Sequence, residues 1–173
     1  MIRIEIKEVR TIWDQDNERF VDITPGTLEL EHNLLAISKW EAKWAQAFLG
    51  PKQKTKEMEL DYVRCMDRNP SLHHPLAYRA LTNRELNVIF DYIQSPHSAT
   101  GFHKKINDGS HSSRDVVTSE LIYYWITQYG IDWRVEEWHL NRLLRLIKVF
   151  EVKQPKPPKM PSISGNHYRG RRR

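Results

Sequence analysis

SRDVVTSELIYYWITQYGIDWRVEEWHLNRLLRLIKVF, residues 113–150, is the stretch whose reading decides the fold. On a helical wheel Leu121, Ile122, Trp125, Ile126 and Tyr129 share one face, and Tyr123, Thr127 and Gln128 point away. Gly130 suits the position just past a helix end, where the backbone turns left-handed. After a short Ile131-Asp132-Trp133 link, Leu140, Leu143, Leu144, Ile147 and Phe150 form a second apolar stripe, opposed by Asn141, Arg142, Arg145 and Lys148. Two amphipathic helices joined so closely are expected to pack as an αα-hairpin and anchor the core.

Upstream, the periodicity changes from helical to alternating. Ile2, Ile4 and Ile6 alternate with Arg3, Glu5 and Lys7, which predicts a half-buried strand. The polar run Asp14–Glu18 interrupts it; further strands fit Arg19–Thr24 and Thr27–Glu31, with Pro25-Gly26 as the turn between them. These three strands predict an antiparallel meander over residues 1–32. Ser38 and Glu41 have capping-box spacing, predicting a helix that starts at or before Ser38 and ends near Leu49, before Gly50-Pro51. Thr55 caps the next helix, Pro75 opens a short helical turn through Ala80, and Thr82 with Glu85 forms a second capping box. Residues 97–113 are polar and predict a long loop or a small hairpin around Asp108-Gly109, pairing Thr100–Ile106 with Arg114–Thr118. The expected class is α+β: a small N-terminal antiparallel sheet on a mainly helical body (33–152), forming a single domain over 1–152. A disordered, basic, proline-rich tail follows at 153–173.

The charge is unevenly placed. Of a formal net +5, residues 153–173 carry three Lys and four Arg with no acid, leaving a net −2 on residues 1–152. A nearly neutral body is a poor nucleic-acid surface, whereas Arg169, Arg171, Arg172 and Arg173 beside Tyr168 have the chemistry to contact a polyanion. The single cysteine, Cys65, excludes an intrachain disulfide and suits a reducing compartment. No stretch approaches the ~18–20 apolar residues of a membrane span, and MIRIEIKEVR lacks the apolar core of an export signal, so a soluble intracellular chain is expected.

No catalytic or metal-binding constellation emerges. His73, His74, His97, His103 and His111 lack any recognised ligand spacing, and with one Cys they predict no metal. His139 reads as a hydrogen-bonded partner of the fold, Cys65 as a small packed residue, and Glu136-Glu137 as acids favoured at a helix start. Phosphate-loop, dinucleotide and serine-hydrolase signatures are missing, so neither an enzyme nor a cofactor is expected. Trp40, Trp44 and Phe48 recur every four residues; they read either as core packing or as a partly exposed docking stripe rimmed by Lys39, Glu41 and Lys43. Tyr123, Tyr124 and Trp138 form a second candidate set for protein binding.

Five segments carry a family resemblance: Leu28–His32 (LELEH), Ile37–Trp44 (ISKWEAKW), Glu59–Met66 (ELDYVRCM), Thr118–Trp125 (TSELIYYW) and Trp138–Leu144 (WHLNRLL). Together they resemble a family of small proteins of long-tailed bacteriophages, the tail assembly chaperones, over most of residues 1–150. The resemblance implies a non-catalytic protein of the host bacterial cytoplasm that holds the helical tape measure protein soluble while tail tube subunits polymerise around it. The tape measure protein, the tail tube protein and a second copy of the chain are its implied partners. Such a chaperone needs an apolar stripe with a polar rim to cover a client's amphipathic helices. A structural protein of the virion tail or connector, and a nucleic-acid-binding protein working through residues 153–173, are the alternatives.

Overall fold

The computed structural model describes residues 1–100 and 116–153. The alternating N-terminal residues form four strands: β1 (Ile2–Ile6), β2 (Arg10–Asp14), β3 (Arg19–Ile23) and β4 (Gly26–Leu30). They pair as two antiparallel ribbons, β1 with β4 and β2 with β3, in place of a consecutive meander. The cause is the polar run Asp14–Glu18, which does not interrupt the sheet but forms the hairpin turn. The Asp14 carboxylate accepts from the Asp16 and Asn17 amides and the Asn17 side chain, and Glu18 adopts φ 48°. That turn joins β2 to β3 and brings β1 back against β4, with Ile4 opposite Leu28 and Ile6 opposite Gly26. Gly26 is therefore a strand residue, not part of a turn.

Ile4, Ile6, Leu28 and Leu30 bury one face of the outer ribbon against the helices. The first helix, α1 (Leu34–Trp44), is capped by the Asn33 side chain on the Ala36 amide, not by Ser38. It ends at Ala45, whose φ of 47° breaks the helical path. α2 (Lys56–Met66) begins at Thr55 as expected, and residues 66–68 leave it along the open edge of β4, where Glu31 and Arg68 amides donate to Met66 and Glu29 carbonyls. A 310 turn at Ala77–Ala80 leads to α3 (Asn83–Gln94), where the Thr82–Glu85 capping box is fully formed. Glu85 also receives both guanidinium nitrogens of Arg10 at 2.7 and 2.8 Å. That contact ties the inner ribbon to the start of α3 and holds the Glu85 carboxyl down to about 2.

α4 (Ser119–Gln128) ends in a Schellman motif: Ile131 donates to the Ile126 carbonyl and Gly130, at φ 62°, to that of Thr127. The link to α5 (Leu140–Lys153) is longer than three residues. A 310 turn at Trp133–Glu137 lies against α4, with Trp133 stacked on Tyr123 and Glu136 accepting from its hydroxyl. Glu136 and Glu137 thus precede α5 and do not start it. The Asn141 side-chain Nδ2 donates to the Ile93 and Ser95 carbonyls, closing the C-terminal end of α3. Among the described residues one hydrophobic cluster joins both ribbons and the five helices, with Trp40, Leu34, Ile37, Met66, Ile89, Ile122, Ile126, Leu140 and Leu143 fully enclosed. The expected Thr100–Ile106 hairpin strand lies almost wholly, and the C-terminal tail beyond Lys153 entirely, outside the described residues.

Candidate protein-binding surface

The segments that carry the resemblance meet inside the protein. Leu140 donates to the His32 carbonyl at 2.7 Å, His32 Nδ1 is hydrogen bonded to the Tyr62 hydroxyl at 2.5 Å, and the His32 and His139 rings meet edge to face. His139 Nε2 lies 3.1 Å from the Tyr92 carbonyl oxygen, and its ring stacks on His97 at 3.9 Å. Tyr92 in turn donates to Glu31. These histidines form a packed seam between β4, α2, α3 and α5. Among the described residues no group of His, Cys, Asp or Glu is arranged to hold a metal ion.

Burial, reinforced by the neighbouring His139 and His97, pushes the His32 imidazole down to about 3. A depressed histidine pKa means that the unfolded chain takes up a proton which the folded chain refuses. Stability is complete above about pH 6.5 and falls as the pH drops toward 3, on the order of 3 kcal/mol by pH 4.5. Above about pH 5 the depressed carboxyls such as Glu85, whose unfolded value is 4.5, contribute little to the pH dependence, so histidine dominates the upper part of the window. Urea midpoints across that range should fall in the wild type and flatten in His32→Asn; an unchanged slope would assign the effect to other groups.

The proposed aromatic stripe is largely committed to the fold. Trp40 is fully buried and its Nε1 donates to the Met58 carbonyl at 2.9 Å, so it is a core residue. Glu41 is buried too, accepting from the Phe48 amide and from the Ser119 amide and hydroxyl; it is not a rim residue. Trp44 is half-buried and donates to Asp61, which also pairs with Lys43. Phe48 packs on Tyr62 at 4.0 Å beneath the Lys54 ammonium. Lys39 and Lys43 are exposed. In the second set all three residues are half-buried: Tyr123 is held by Trp133 and Glu136, Trp138 lies under the Arg142 guanidinium at 4.0 Å, and Tyr124 completes it. Arg169, Arg171, Arg172 and Arg173 lie outside the described residues. Cys65 is half-buried, and burial pushes its thiol up to about 11, which leaves it a poor nucleophile at neutral pH.

A different aromatic pair is exposed. Trp13 and Phe20 face each other across β2 and β3, with ring centroids 5.0 Å apart, and are 48% and 72% exposed. They sit on the face of the ribbon opposite Ile12, Val21 and Ile23. Trp13 borders an open cleft of about 750 Å³ between the ribbon, α2 and the turn before α3, also lined by Lys56, Leu60, Arg64 and Arg79. A smaller apolar cleft between α2 and α3, lined by Leu60, Leu86 and Phe90, continues from it. Sequence reading passed over the pair because Trp13 adjoins the polar turn. The signal was present in the alternation of Arg10, Ile12 and Asp14 with Thr11 and Trp13. No protein-family model, curated protein or solved structure matches this chain. No helix among the described residues is long and apolar enough to cross a membrane.

Proposed function

We propose that this chain is a non-enzymatic assembly chaperone of a long-tailed bacteriophage, working in the host bacterial cytoplasm by holding the helical tape measure protein during tail tube assembly. The resemblance of five segments to that family supports the biological setting. The observation that carries a binding role is the exposed Trp13–Phe20 pair beside an open cleft with an apolar continuation. Large aromatic side chains held rigidly at a surface are the usual anchors of protein recognition. The polar side chains that might suggest catalysis, such as Glu41, His32 and His139, are engaged in holding the fold. The docking surface thus moves from α1 to the inner ribbon and α2.

Co-expression with the tape measure protein, followed by affinity purification, tests this. The client should become soluble and co-purify, and Trp13→Ala with Phe20→Ala should cut the recovered client by about tenfold or more. Circular dichroism should stay unchanged, because both side chains are exposed. A client that stays insoluble, with nothing retained, would remove the chaperone reading.

A further inference from the structure

We infer that the cleft beside Trp13 recognises an amphipathic helical segment whose apolar residue is flanked by acidic ones; this rests on the chaperone reading and specifies the chemistry of the client. The floor of the cleft is one ridge of α2, Lys56, Leu60 and Arg64, residues spaced by four and therefore stacked along one face. A cation stands at each end and an apolar side chain between them. With a rise of 1.5 Å per residue the two cations are separated by about 12 Å along the helix axis. Arg79 and the indole of Trp13 form the facing walls.

Lys56, Arg64 and Arg79 are exposed, and none forms an ion pair among the described residues. Lys43 and Asp61, on the same lining, neutralise each other. Asp16 and Glu57 also line the cleft, which makes it a mixed surface with an excess of positive charge. A uniform polyanion would meet those two acids wherever it ran, whereas a peptide with carboxylates only at matching positions avoids them. A helix laid along α2 meets the ridge with an acid at i, a Leu or Phe at i+4 and a second acid at i+8. The chain's own residues 154–173 carry two Lys and four Arg and no acid, so like charge excludes them as the occupant.

The test uses the full chain and a fluorescent 20-residue helical peptide bearing Glu, Leu and Glu at i, i+4 and i+8 on one face. Its counterpart carries Lys in place of both Glu, and a 20-nucleotide thymidine strand serves as a third probe. The acidic peptide should bind at least tenfold more tightly than the other two. Its affinity should fall with salt and drop at least tenfold in the Arg64→Gln/Arg79→Gln double variant, which should keep the wild-type thermal midpoint. Equal binding of both peptides, no binding, insensitivity to the double variant, or preference for the oligonucleotide would each overturn the inference. The co-expressed client separates the two readings. If the double variant still retains it while Trp13→Ala does not, the acidic motif falls and the chaperone role stands; if wild type retains none, the chaperone role falls.

Discussion

Trp40→Ala is expected to destabilise the fold by about 3–5 kcal/mol, the range for truncating a large buried aromatic. The indole is completely enclosed. It lies edge-on to Phe48 with ring centroids 5.2 Å apart, and its N–H satisfies the Met58 carbonyl on the first turn of α2. The substitution opens a cavity between α1 and α2 and removes the indole's hydrogen bond to a carbonyl that keeps only its helical donor, two costs that add. Domains of this size are stable by about 5–15 kcal/mol, so much of the margin would go. Trp40→Phe restores most of the volume but not the donor and should cost distinctly less, about 1–2 kcal/mol. Urea unfolding followed by far-UV circular dichroism measures both. A Trp40→Ala loss under 1 kcal/mol would show that the side chain is not a keystone of the α1–α2 contact.

Legibility followed the range of the interaction. The Thr82–Glu85 box and the Gly130 cap were readable because each is complete within a few residues of chain. Ser38 and Glu41 have the same spacing as a true box, but Asn33 starts the helix one turn earlier and Glu41 is taken by partners at Phe48 and Ser119. Spacing cannot reveal a partner 78 residues away. Strand pairing failed similarly, since alternation marks which face is buried and not which strand lies alongside; the Asp14–Glu18 turn decided that. The burial of Trp40 and Glu41 was hidden for a related reason. A stripe of Trp and Phe has one appearance in sequence whether it faces solvent or core, and Trp40 is buried where Trp13 is not because α2 packs on α1 while the Trp13 face of β2 stays exposed.

Glu41→Ala should be as damaging as Trp40→Ala, at about 3 kcal/mol or more, through unsatisfied donors instead of a cavity. One carboxylate oxygen accepts from the Phe48 amide at 2.7 Å, and the other from the Ser119 amide at 2.7 Å and its hydroxyl at 2.5 Å. This single side chain joins α1, the segment after it and the first residue of α4. Charge-assisted bonds to backbone amides contribute roughly twice what neutral ones do, and the Ser119 donors left behind are buried away from water. Glu41→Gln tests this further: the amide offers one accepting oxygen for two sets of donors and turns its own N–H groups toward the other, so it should recover only part of the loss. The pattern of opening is as specific as its size. Hydrogen exchange should accelerate first in Ser119–Gln128 and in residues 45–50, before β1 and β4. A double-mutant cycle with Ser119→Ala should show a coupling of about 1 kcal/mol or more, because the hydroxyl donates only to acids in this pocket and Glu41 is the closer. Strict additivity would mean that α4 docks through its apolar face alone, with Ile122 and Ile126 sufficient to hold it against α1.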